Sequence, residues 1–241
     1  EWSEERCLNE NVRNLIVNSM KFSETSLENL KEVELDFSNF THNTQLFFFP
    51  NNNVEVTPKE IIVHQRGDTA FNHYVWEENV LKHNFKPLPD MFKLTCLDKE
   101  NNLYDIDVLD CKSSPIFGYV INTSRLHWRK EMEERFEDNP EEAKAYAEKH
   151  RFCINGEGLT EDEIREQKQN LANKIFAIGY MLHRFKSPSR AWAPQAMDNK
   201  IGENGECNGR SGKSFLFKTL SLFMKSVTLS GRNPKLMDNP H

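Results

Sequence analysis

The sequence predicts an α+β fold: a helical and β-hairpin N-terminal domain, then the start of a P-loop α/β core. Three observations predict it. A turn-forming Pro/Asn cluster sits between two β-prone runs near residue 50. A long helical periodicity opens at Thr160. A glycine-rich segment ending in Gly-Lys-Ser214 is followed at once by an apolar run.

At 241 residues the chain fits one large domain or two modest ones. Its 37% hydrophobic content, with 17 Phe, is enough for a core and excludes global disorder. We expect a boundary near residue 155, with an α+β domain over 1–155 and a helical connector plus the start of an ATPase domain over 156–241. The net charge of −6 argues against a protein that grips nucleic acid over most of its surface, so any such contact is expected from a local patch, from ring assembly or from sequence not present here. The five cysteines, Cys7, Cys96, Cys111, Cys153 and Cys207, form no CxxC pair. Neither a zinc site nor a disulfide framework is implied, and a reducing cytoplasm fits. No apolar run reaches membrane-spanning length, so no membrane association is expected. Both ends, Glu1 without Met and Asn-Pro-His241, read as cut.

Along the chain, Leu8, Val12, Leu15, Ile16 and Met20 recur at helical spacing, and a second short helix is expected from Ser26 to Val33. Residues 44–49 and 54–56 flank the Pro/Asn cluster as a hairpin, and 61–63 continue the strand-like material. Residues 72–83 are ambiguous, with a closing helix as one reading. The alternating segments 92–96 and 104–108 predict two more strands, in which Asp105 and Asp107 share one face; a hairpin's wet face is favoured there over a metal site. An apolar run covers residues 115–122. Residues 131–151 read as two helical pieces broken at Asn139-Pro140, their charges a solvated face.

The best helix starts at Thr160, which with Glu163 fits a capping box. Leu171, Ile175, Ile178, Leu182 and Phe185 form its core stripe, and Ser187-Pro188 should stop it. Residues 191–197 read as a strand leading to the loop.

That loop, Gly202 to Ser214, carries the chemistry. Glycines let successive backbone N–H groups turn inward around phosphate oxygens. A lysine reaches the β- and γ-phosphates, and a Ser hydroxyl ligates Mg²⁺. Gly209, Arg210, Ser211, Gly212, Lys213 and Ser214 are therefore the expected phosphate-binding residues, with ATP and Mg²⁺ as cofactors and Ser214 as the metal ligand. A helix over 214–225 and a strand at 227–229 should follow. The consensus first glycine is replaced by Cys207, between Gly205 and Gly209, so the loop is longer or differently bent. A glycine-rich surface loop with an incidental Lys is the bland alternative. Lys235 to Asp238 is not preceded by an apolar strand, so the acidic residue that organises Mg²⁺ and water is missing. The chain as given is expected not to hydrolyse ATP.

Residues 117–130, 173–184 and 196–200 resemble segments of primase-helicases of phages and mobile elements, which are similar to poxvirus-type superfamily 3 helicases. The resemblance covers roughly residues 10–241. It implies an AAA+-like ATPase core after the N-terminal domain, homo-oligomeric ring assembly, and DNA as partner in replication. The acidic pair, sensor and arginine finger of such helicases would lie beyond His241. The alternative is a non-catalytic oligomerisation, partner-docking or DNA-binding module whose glycine-rich loop is inert.

Arg125, Arg129 and Lys130, beside His127 and Trp128, could hold a phosphate backbone while the indole stacks on a base. A helix that buries Trp128 and solvates the cations explains the same residues and is favoured. His64, His73 and His83 are spaced too irregularly for a metal site.

Overall fold

The computed structural model describes residues 35–68, 70–196 and 213–227. The expected helices before residue 34, the loop residues 197–212 and the segment after Val227 lie outside them. The chain divides into two units. In the first, Glu1–Phe37 with Asn72–Tyr74, the Tyr74 amide donates to the Asp36 carbonyl (2.7 Å) and His73 Nδ1 lies 3.2 Å from the Asp36 carboxylate.

The second unit, Ser38–Phe71 with Val75–His241, holds every helix and strand described below. It is α+β, as expected: small antiparallel sheets with helices. β1 (Gln45–Phe48) and β2 (Asn52–Val56) form the hairpin around Pro50-Asn51, and β3 (Ile61–Gln65) adds to β2. Asn51 closes the turn from outside: its side chain donates to the Phe85 carbonyl (2.9 Å) and accepts from the Phe85 amide (2.8 Å). Leu46, Phe48, Phe49 and Val54 are buried.

β4 (Phe92–Asp98) and β5 (Leu103–Val108) make a second hairpin. Its turn is organised by Asp98, whose carboxylate accepts from the Glu100 amide and the Asn101 side chain (2.9 and 2.7 Å). Asn102 there takes a positive φ of 53°, which asparagine tolerates better than most residues. Residues 72–83 are not a helix beyond one 3₁₀ turn, Glu77–Asn79. Five of these twelve residues are apolar, but none of the twelve is buried, so no packed face supports a longer helix.

The apolar run 115–122 becomes α1 (Pro115–Asn122). Ser114 caps it by accepting the Phe117 amide, and Pro115 sits where a missing N–H costs nothing. α1 packs with Ile106 of β5, Ile154 and Leu171 into the main core: Phe117, Val120 and Ile121 are all buried. Gly118 is required here, because a Cβ would meet the Phe152 ring at 2.8 Å.

The break at Asn139-Pro140 is found: Asn139 caps α2 (Pro140–Lys149), and a π-helical turn, Arg129–Glu134, precedes it. α3 (Glu161–Leu182) begins with both halves of the capping box at Thr160 and Glu163. It stops at Leu182, five residues before Ser187. There the Gln45 side-chain oxygen accepts the Arg184 amide (2.8 Å) and Lys186 Nζ donates to the Tyr180 carbonyl (2.9 Å). These partners satisfy backbone groups at the end, so the helix gains nothing by continuing to the proline. Of the expected stripe, Leu171 is buried and Ile175 and Ile178 pack on the same core. Phe185 lies past the helix and packs edge-on against His42, with centroids 5.1 Å apart.

Residues 191–196 are irregular and not a strand. Trp192 is held by the Tyr180 hydroxyl, and Pro194 has no N–H for a ladder. The last described element is α4 (Lys213–Leu220).

Candidate functional site

Lys213 and Ser214 are the first two described residues of α4, which follows the glycine-rich segment in the sequence. The first turn of any helix has amides with no intrahelical acceptor, and these favour an anion. α4 is held in place by its apolar face. Phe215 meets Tyr119 of α1 edge-on, with centroids 5.0 Å apart, Leu216 packs against the main core, and Leu220 is buried. Past the helix, Phe223 packs edge-on between Phe47 and His83 (6.3 and 5.6 Å). The helix is shorter than the expected 214–225, because the chain turns at 221–224 to reach those rings. Ser214 is exposed. Gly209, Arg210, Ser211, Gly212 and Cys207 lie outside the described residues, as does most of the expected strand at 227–229; Val227 itself is irregular.

Among the described residues no group of three or more His, Cys, Asp or Glu could hold a metal ion. The free cysteines Cys96, Cys111 and Cys153 form no pair.

Each of the three basic residues expected as a possible DNA contact faces a carboxylate. Arg129 Nε lies 3.2 Å from Glu133, and Lys130 Nζ lies 2.7 Å from Glu163. Arg125 is buried against Glu131, their side chains 3% and 0% exposed. The favoured reading, buried indole and solvated cations, is reversed at this position. Trp128 remains 36% exposed while the Arg125 guanidinium stacks beneath its ring, 4.4 Å from the centroid. A charge-delocalised guanidinium tolerates this because Glu131 neutralises it and the indole face attracts it.

Glu131 also corrects the expected solvated face of 131–151. Its Oε1 accepts from both Arg125 and the Tyr146 hydroxyl, the latter at 2.8 Å. The same hydroxyl accepts the Glu157 amide at 3.0 Å. Burial, followed by the nearby Glu131 carboxylate, pushes the Tyr146 phenol pKa up. Charge pattern alone could not mark Glu131, since its neighbours Glu133 and Glu134 are equally acidic and exposed.

Asp105 and Asp107 behave as a salted hairpin face. Lys168 of α3 lies 2.8 Å from Asp105 and 3.8 Å from Asp107. The hydrogen bond from Lys168 holds the Asp105 carboxyl below its ordinary pKa. His64 pairs with Glu55 (3.1 Å) and lies against Phe71, while His83 packs on Phe49.

Sequence reasoning missed two features. Gln167 is fully buried and ties three segments together, donating to the Ile154 carbonyl (2.9 Å) and accepting the His127 amide (3.1 Å). At the far end of α3, Phe176, Tyr180 and Trp192 form a surface cluster of rings. The four-residue spacing of Phe176 and Tyr180 was a signal for their contact; that of Trp192 was not. Among the described residues no helix is long and apolar enough to cross a membrane. No family model, curated protein or solved structure matches this chain.

Proposed function

We propose that residues 209–214 cradle the phosphates of ATP, and that the chain is part of an ATP-dependent DNA helicase or primase-helicase of the superfamily 3 type. The observation that carries the reading is the position of Lys213 and Ser214 at the start of a helix anchored on the core through Phe215 and Leu216. A phosphate site needs such a start, because amides and lysine must converge on the anion without moving when it arrives. In this reading Gly209, Arg210, Ser211 and Gly212 supply the turn, Lys213 meets the β- and γ-phosphates, and the Ser214 hydroxyl ligates Mg²⁺ that bridges them. An AAA+-like core, ring assembly and DNA as partner rest on the resemblance of 117–130, 173–184 and 196–200.

Titration of the protein with a fluorescent ATP analogue and Mg²⁺ tests the phosphate site. Binding should be lost in Lys213→Ala and weakened in Ser214→Ala. Equal affinity in wild type and Lys213→Ala would sink it, leaving a docking module with an inert loop.

A further inference from the structure

The end of α3 carries a surface whose composition departs from the rest of the chain. Between Gln167 and Met197 there are five Lys and Arg and no Asp or Glu, although the whole protein has a net charge of −6. Three of the five are engaged. Lys168 faces Asp105, Lys174 donates to the Thr123 carbonyl, and Lys186 donates to the carbonyls of Tyr180 and His183. Arg184 and Arg190 are exposed and form no ion pair with any described residue.

Three aromatic rings belong to the same stretch of chain, with Arg190 two residues before Trp192. Phe176 and Tyr180, one helical turn apart, lie nearly parallel (22°) with centroids 6.4 Å apart. The Trp192 amide donates to the Tyr180 hydroxyl (2.9 Å), which folds the following segment back. The indole then lies 5.5 Å from Phe176 and 5.6 Å from Tyr180. Lys186 Nζ, 4.4 Å from the Tyr180 centroid, braces that ring. Phe176 is 57% and Trp192 58% exposed, so two large ring faces that touch each other and Tyr180 stand in water.

Charge and shape together choose the occupant. A second copy docking symmetrically would bring this stretch, which has no acid, against its own copy. A duplex keeps its base faces stacked on one another. Unpaired nucleotides offer flat faces to the rings and phosphates to the guanidiniums at once. We propose that Phe176, Tyr180 and Trp192 form a stacking platform for single-stranded DNA, with Arg184 and Arg190 meeting its phosphates. The choice of DNA over RNA rests on the helicase reading above; the platform does not.

The test is fluorescence anisotropy of a labelled oligothymidine of about 15 nucleotides, a length near the upper site size of one such surface. It is run with no nucleotide present, so failure of ATP to bind at Lys213 leaves the result unaffected. Phe176→Ala and Trp192→Ala should each weaken binding roughly 5- to 150-fold. Trp192→Phe should retain most of it, separating loss of stacking from loss of fold. Arg184→Ala combined with Arg190→Ala should reduce the salt slope by about 1.4, the value for two single-strand phosphates. Trp76→Ala removes an equally exposed indole from another segment, at 64% exposure, and should change nothing. Wild-type affinity in Trp192→Ala, no binding by the wild type, or equal binding of a duplex of the same length would overturn the proposal. Oligouridine bound tenfold more tightly would overturn the choice of DNA. A dimer in sedimentation that Trp192→Ala abolishes, with oligonucleotide affinity unchanged, would overturn it in favour of self-association.

Discussion

The Tyr146 hydroxyl donates to Glu131 at 2.8 Å and accepts the Glu157 amide at 3.0 Å, joining α2 to the π-helical turn before it and the loop after it. Because Glu131 also neutralises the buried Arg125, this pair is the point where local secondary structure becomes tertiary structure. Removing the carboxylate strands a buried cation. Glu131→Ala should cost about 3–5 kcal/mol in urea-unfolding free energy, and Tyr146→Phe about 1–3 kcal/mol. A loss below about 1 kcal/mol for Glu131→Ala would show that Arg125 reaches water in solution.

Gly118 of α1 leaves no room for a side chain, with the Phe152 ring 2.8 Å from the place a Cβ would occupy. The Phe152 ring is partly buried against the main core, so moving it aside disturbs that packing. Gly118→Ala should therefore destabilise by about 1–3 kcal/mol despite alanine's better helix propensity. The partner substitution Phe152→Leu should recover part of that loss in a double-mutant cycle.

Glu163 holds a cap and an ion pair at once. Its carboxylate accepts from Lys130 and from the Thr160 amide, each at 2.7 Å. Lys130 first, and the Thr160 amide second, lower its pKa to about 2. The folded value lies below the unfolded one, so this contribution is fully present above the ordinary value of 4.5 and is lost as pH falls toward 2. Thermal melts across that window should show a declining Tm that is shallower in Glu163→Gln.

Lys174 behaves in the opposite sense. Its ammonium is drawn into the protein to donate to the Thr123 carbonyl, and burial lowers its pKa to about 8. The unfolded chain, with an ordinary value of 10.5, binds more protons between those limits. The burial cost is present below pH 8 and relieved as pH rises through 8 toward 10.5. Lys174→Met should abolish that part of the rise in stability between pH 8 and 10, measured by chemical unfolding at fixed ionic strength.

Leu216 anchors the helix that begins at Lys213. Leu216→Ala should cost about 1–3 kcal/mol, less than a fully buried leucine because this side chain is only partly covered. If α4 presents a phosphate site, the same substitution should also weaken nucleotide binding, although it touches no loop residue. Unchanged nucleotide affinity would show that the loop holds its shape without the helix.

Elements whose signals are local could be read directly from the residues. The hairpin around Pro50-Asn51, the Asn139-Pro140 break and the Thr160–Glu163 capping box all depend on residues within a few positions of one another. So did the position of a helix directly after Gly212. Where α3 stops depends on a distant contact, because the partner at that end is Gln45, 139 residues away from Arg184. Tertiary packing alone separated buried Glu131 from exposed Glu133, and brought Trp192 onto Phe176 and Tyr180. The physical reason is common to these cases. Burial and neutralisation are properties of what surrounds a side chain, and those surroundings come from distant segments that no local pattern encodes.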